Sequence, residues 1–174
     1  VWTGGAPAAY VPPEILAQRA RADLYLPLPA IRTWPEPANQ VVHLPTWLHV
    51  DNFEAGSRSA TAGSVTATVT ARPISVVWSM GDGRSVSCST AGETFEPSTE
   101  NSRAGDSSDC SHTFTTTSGR QPGQVFRGSV TITWHLDWTS NIGVSGDLGD
   151  VSMTAGVSWR VEQIQSLITK RATP

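Results

Sequence analysis

Ile74–Cys88 reads ISVVWSMGDGRSVSC, and this stretch decides the fold. Ile74, Val76, Trp78 and Met80 occupy one phase of a two-residue alternation, which places them on one face of an extended strand. Gly81-Asp82-Gly83 then supplies the Asp-Gly pair that a tight hairpin requires, and Val86 and Cys88 continue into a partner strand. The expectation is a core strand that turns sharply into its neighbour, with Trp78 inside.

The flanking sequence repeats the pattern on both sides. Upstream, Val65, Ala67, Val69 and Ala71 alternate with Ser64, Thr66, Thr68 and Thr70, which predicts a half-buried strand with a hydroxyl face. Downstream, Phe126, Val130, Ile132, Trp134, Leu136 and Trp138 alternate with mostly polar neighbours and predict a central strand. Val151, Met153, Ala155, Val157, Trp159 and Val161 predict its hairpin partner after a loop over Asn141–Asp150. Val41–Val50 reads as the first strand, at an edge because of Pro45, with a loop over Asp51–Gly63 behind it and a short strand near Ser111–Phe114. Six or seven strands with turn signals between them, and no alternation of helix with strand, give a mainly β, two-sheet sandwich. Trp78, Trp134, Trp138 and Trp159 lie in the apolar phase of their strands and belong to the core.

Composition agrees. Only 16% of the residues are charged while 40 of 174 are Ser or Thr, the profile of strands and turns. A net charge of −3 without any Lys/Arg cluster excludes a phosphate-binding field, so nucleic acid is not an expected partner. The length suits one domain with an added segment: residues 1–40 as an N-terminal extension with a short helix, 41–168 as the sandwich, and 169–174 as a tail. Within the extension, Val1–Pro13 reads as a linker or arm. Glu14–Leu24 reads as a helix opened by Pro13, an amphipathic prop at the domain edge with Leu16, Ala20 and Leu24 on one stripe. No apolar run approaches the ~20 residues of a membrane span. Cys88 and Cys110 are the only thiols, and a disulfide between them is the simplest reading. It implies an oxidising compartment and therefore a secreted or cell-surface protein. The chain opens at Val1, as expected of a segment that has lost a leader or belongs to a longer protein.

From about Val41 to Ile168 the sequence resembles a PKD domain, an immunoglobulin-like sandwich of surface and secreted proteins. Trp78-Ser79-Met80-Gly81-Asp82-Gly83 is similar to that family's Trp-Asp-Phe-Gly-Asp-Gly hairpin, and His112-Thr113-Phe114 to its His-Thr-Tyr. Gln121-Pro122-Gly123, Phe126 and the strand through Val130 and Ile132 resemble its Pro-Gly-x-Tyr-x-Val run. The whole chain is similar to exported actinobacterial PKD-like proteins. The resemblance implies a non-catalytic structural or protein-contact module at the cell surface, a subunit of a surface assembly being one form of it, with no catalytic residues to carry over.

The residues with chemical potential fit that picture. His43, His49, His112 and His135 show no metal-ligand spacing and are expected in structural or surface roles. Serines are abundant, yet no Gly-x-Ser-x-Gly elbow or phosphate-binding glycine motif occurs. Asp147 and Asp150, and separately Glu93, Glu96, Glu100, Asp106 and Asp109, could offer carboxylates to calcium, but solvated loop acids are the expectation. No catalytic residue, metal or cofactor is expected. Trp2, Tyr10, Tyr25, Trp34 and Trp47 sit among prolines in the N-terminal part and are the candidate contact residues, for a protein partner or for self-assembly. The alternative is a carbohydrate or cell-wall binding module in which Trp34 or Trp47 stacks on a sugar.

Overall fold

The computed structural model describes residues 9–95 and 110–165. Helix α1 (Pro13–Ala22) has proline at its first position and Glu14 in its first turn, both suited to a helix N-terminus. The strands follow as β1 (Ile31–Trp34), β2 (Gln40–Val41), β3 (Pro45–Val50), β4 (Gly56–Ala62), β5 (Val65–Ser79), β6 (Ser85–Cys88), β7 (Ser111–Thr113), β8 (Phe126–Ser140), β9 (Ser145–Trp159) and β10 (Val161–Glu162). The protein is mainly β. The large sheet runs β4-β5-β8-β9 with β6 also paired to β5, a small sheet runs β1-β3-β7, and β10 pairs with β2 in parallel. Among the described residues no helix is long and apolar enough to cross a membrane.

Strands β5, β8 and β9 are each 15 residues long, about 50 Å of extended chain, and two different covers share their buried face. Over one half lies α1, against β4, β5 and β8. Leu16, Ala17 and Ala20 are fully buried in one cluster with Val65, Ala67, Val69 and Ala71. The alanines on both surfaces let helix and sheet approach closely. The helix is thus part of the core, a deeper position than the edge prop expected from its stripe.

Over the other half lies the small sheet, and here the packing is aromatic. Phe114, just after β7, stacks on Phe126 with centroids 5.8 Å apart and lies 5.9 Å from Trp159, which in turn lies 6.4 Å from Trp78. Trp78, Trp134, Trp138 and Trp159 are all buried. Cys88 at the end of β6 and Cys110 just before β7 form the disulfide, tying the small sheet to the large one. A β-bulge at Pro73–Ser75 separates the two halves of β5. Proline cannot complete a sheet ladder, so the register shifts here and the inward phase passes from Val65–Ala71 to Val76, Trp78 and Met80. Ile74, read above as a member of the inward row, falls in the bulge and is 44% exposed.

Three further expectations are corrected. The first strand is β1, not the segment from Val41, and Val41–Val50 is split into β2 and β3, with β3 the central strand of the small sheet and not an edge. Asp51–Gly63 is not all loop, since Gly56–Ala62 forms β4. Asn141–Asp150 is mostly strand, because β9 starts at Ser145 after a tight turn. β4 and the start of β9 are largely exposed sheet margins, so they need no apolar alternation and show none.

Candidate functional site

The two motifs that carry the family resemblance meet in space. Gly81 and Gly83 adopt φ of 78° and 90°, the left-handed region that glycine enters without cost, and a side chain at Gly81 would meet the Arg127 backbone. Asp82 at the apex accepts a hydrogen bond from the Arg84 backbone N–H (3.0 Å) through one carboxylate oxygen. Its other oxygen accepts one from His112 Nε2 (2.8 Å). Both side chains are more than nine-tenths buried, and Phe114 sits edge-on to the imidazole at 4.6 Å. Trp78, Gly81, Asp82, Gly83, His112 and Phe114 therefore form one junction between the hairpin and β7.

The candidate contact residues divide into separate places. Trp2 lies outside the described residues. Tyr10 and Tyr25 are 69% and 82% exposed on the surface near α1. Trp34 and Trp47 are brought together: they are direct cross-strand partners between β1 and β3, as are Arg32 and His49. Buried Gln40 supports this end by donating from its amide to Pro35 O (2.6 Å) and Glu36 O (3.0 Å) while accepting from the Thr46 hydroxyl. The aromatic site contains a residue that sequence reasoning missed. Phe95 stacks on Trp34 with centroids 3.9 Å apart and lies edge-on to Trp47 at 5.5 Å. A loop phenylalanine has no periodicity, and no sequence signal singled it out. A cleft of about 140 Å³ remains beside the three rings, with Arg32, His49 and Glu93 in its wall.

The other notable surface is the outer edge of β9. Among the described residues this strand pairs only with β8. At its far end the Arg160 N–H donates to Pro37 O and the Arg160 carbonyl accepts from Gln40 N–H, so that end is covered. By alternation the N–H groups of Ser158, Gly156, Thr154 and Ser152 point to the same free side. The inward row of β9, including Val151, Met153 and Val157, is only half-buried. Beside it runs an open groove of about 410 Å³ walled by Leu24, Tyr25, Leu26, Val151 and Met153.

Asp147 and Asp150 do not stand free on a loop. His135 on β8 donates from Nδ1 to Asp150 (2.7 Å) and directs Nε2 to Asp147 (3.1 Å). The hydrogen bond to Asp150 raises the histidine pKa above its ordinary value; desolvation opposes the rise, and the negative charges of Asp147, Asp150 and Asp137 add to it. Among the described residues no three His, Cys, Asp or Glu side chains gather as a metal site. Glu96, Glu100, Asp106 and Asp109 lie outside the described residues. A larger polar cavity of about 440 Å³ lies near His43, Thr115–Thr117 and Arg120. His43 there has a φ of 64° and donates its backbone N–H to Phe114 O. No protein-family model, curated protein or solved structure matches the chain.

Proposed function

We propose that the chain is an exported, non-catalytic, PKD-like sandwich that serves as a structural or protein-interaction module at the cell surface. The PKD-like reading is supported by the convergence of the two motifs at the Asp82–His112 hydrogen bond. Export is supported by the Cys88–Cys110 disulfide, a bond that persists in oxidising compartments. The interaction role rests on one observation: the outer edge of β9, which has no partner strand among the described residues, with its half-buried apolar row beside an open groove.

An edge of this length with no partner strand among the described residues presents a row of backbone donors and acceptors, and such a row accepts an added strand from a partner. The occupant is an extended segment of another protein, with apolar side chains at alternate positions to complete the row of Val151, Met153 and Val157. A basic residue near Asp147 and Asp150 suits the end where two carboxylates face one histidine. The contact surface is thus the sheet edge together with Leu24, Tyr25 and Leu26 of the N-terminal segment, while α1 is committed to the core and Trp34 and Trp47 face Phe95.

The test is photo-crosslinking in the intact chain at the surface of its host cell. A photoreactive residue replaces Ser152 on β9 or, as a control, Ser59 on the opposite edge strand β4. Crosslinks to a defined protein from position 152, absent from position 59 and lost on adding Thr154→Pro, support the reading. Proline at 154 removes an N–H that points away from β8, so the fold tolerates it. Crosslinks from 152 that survive Thr154→Pro, or partners captured only from position 59, overturn it.

A further inference from the structure

The geometry points to the Trp34–Trp47 cleft as a binding site for one pyranose ring, held closed by Phe95 acting as an internal substitute for the sugar. This site lies on the small sheet and does not depend on the contact proposed for β9.

The local sequence builds the cleft. In β3, Thr46, Leu48 and Val50 turn inward and are buried, so Trp47 and His49 must turn outward. The register with β1 sets Trp34 beside Trp47 and Arg32 beside His49. Two large rings on a solvent-facing sheet surface are costly unless something covers them, and in this state the cover is Phe95. A pyranose has what this cover has, a flat apolar face of C–H groups for stacking on an indole, and adds a rim of hydroxyls.

The rim of the cleft is equipped for hydroxyls. Asp51 is oriented by Arg32 Nε (3.0 Å). His49 donates from Nδ1 to Gly92 O (2.9 Å), which fixes the ring. Glu93 is exposed beside them. Arg32 and Glu93 thus offer a planar donor and a carboxylate acceptor next to an aromatic face, the combination that reads adjacent hydroxyls. A further observation concerns Trp47: its indole N–H is buried and, like those of Trp78 and Trp159 in the core, has no acceptor among the described residues. Phenylalanine cannot supply one, and a sugar hydroxyl can. The aromatic substitute supplies the stacking and offers no acceptor to the Trp47 N–H.

Phe95 is also placed to exchange. The chain is anchored to β3 as far as Gly92, through Val50 N–H to Ala91 O (2.9 Å) and the His49 bond to Gly92. Gly92 has a φ of 83°, and a side chain there would collide with Leu48 O, so only glycine brings the chain this close. Beyond it Glu93 and Thr94 are exposed, and among the described residues of this segment it is the ring of Phe95 that lies on the cleft.

The experiment titrates intact, ¹⁵N-tryptophan-labelled protein with tetra-N-acetylchitotetraose and, separately, with cellotetraose, following the indole N–H resonances by NMR. Expected is a saturable shift of the Trp34 and Trp47 resonances with at least one oligosaccharide. Phe95→Ala, which removes the competitor, should tighten binding by about 10-fold, the worth of one aromatic contact. Trp34→Ala should abolish it. Trp47→Phe, which keeps a ring and removes the N–H, should weaken it by about 3- to 10-fold. Backbone spectra check that each variant is folded, and Phe95→Ala keeps the test decisive should Trp34→Ala be damaged. No saturable shift in either the unaltered protein or Phe95→Ala overturns the proposal, as does binding that Phe95→Ala weakens or that folded Trp34→Ala leaves unchanged. Thr154→Pro should leave sugar binding as it was, so this site and the β9 edge fail separately.

Discussion

The two halves of the large sheet reach the same burial by opposite means. Under α1 the sheet contributes Val65, Ala67, Val69 and Ala71, and the helix answers with Leu16, Ala17 and Ala20, so small side chains let regular elements come close. Under the small sheet the contributions are Trp78, Phe126 and Trp159, and the cover answers with Phe114, a disulfide and the Asp82–His112 hydrogen bond. Small residues permit close approach along a whole helix, whereas large rings fill a wider gap and need local links to hold a three-stranded cover in place. The bulge at Pro73–Ser75 lets one strand serve both arrangements.

The comparison breaks most severely at the aromatic centre. Trp159 is fully buried between Phe114 and Trp78, and Trp159→Ala should cost about 3–5 kcal/mol, because the cavity left behind cannot collapse around fixed neighbours. Urea unfolding followed by circular dichroism measures it. A loss below about 1 kcal/mol would show that the aromatic cluster around Trp159 does not hold this half together.

Replacing Cys88 and Cys110 together by serine should cost about 3 kcal/mol in the chain-entropy account, for a loop spanning 22 positions. The sharper expectation is where the loss appears. Amide exchange should accelerate in β6 and β7, which the bond joins, while the α1 half keeps its protection. Uniform acceleration would mean that the halves unfold as one unit.

The helix half should respond to added volume more than to lost volume. Ala71→Leu places three extra carbons where α1 lies against β5, and overpacking of this kind costs about 1–3 kcal/mol. The same experiment tests whether α1 belongs to the core. A neutral result in urea, with α1 amides exchanging freely, would return the helix to the edge.

What was legible in the sequence follows from the same contrast. β8 was readable along its whole length because one unbroken phase, from Phe126 to Trp138, is buried under both covers. The first half of β5 was readable for the same reason, but its phase could not be carried through Pro73, since a bulge displaces the pattern by one residue and exposes Ile74. β4 was invisible because Gly56–Ala62 is an edge strand with polar residues on both faces. The stripe on α1 gave Leu16 and Ala20 correctly as its apolar side, yet a stripe carries no information about what covers it. At the aromatic cleft, Trp34 and Trp47 stood out by type, while their adjacency depends on the β1–β3 register and the position of Phe95 on a loop, and neither is periodic.

The smallest expected effect lies on the outer face, where neither cover reaches. Here hydroxyl pairs join neighbouring strands, Thr131 with Thr154 at 2.8 Å and Thr133 with Ser152 at 2.9 Å, and the next rung is His135 with Asp150. Because both imidazole nitrogens face carboxylates, the protonated ring is the better fit, and its pKa is raised above 6.5. A group whose pKa is higher folded than unfolded adds stability that is fully present below the unfolded value and is lost as pH rises through the folded one. Stability should therefore decline slightly from pH 6 upward until the folded histidine has lost its proton, and His135→Gln should remove that part of the slope. Solvent and salt screen so exposed a cluster, so the slope should also shrink at high ionic strength. Thermal unfolding of both proteins across this pH range, at low and high salt, decides it. A slope of the opposite sign, or one that His135→Gln leaves in place, would show that the rung is held by the hydroxyl ladder and that the histidine's charge contributes nothing to it.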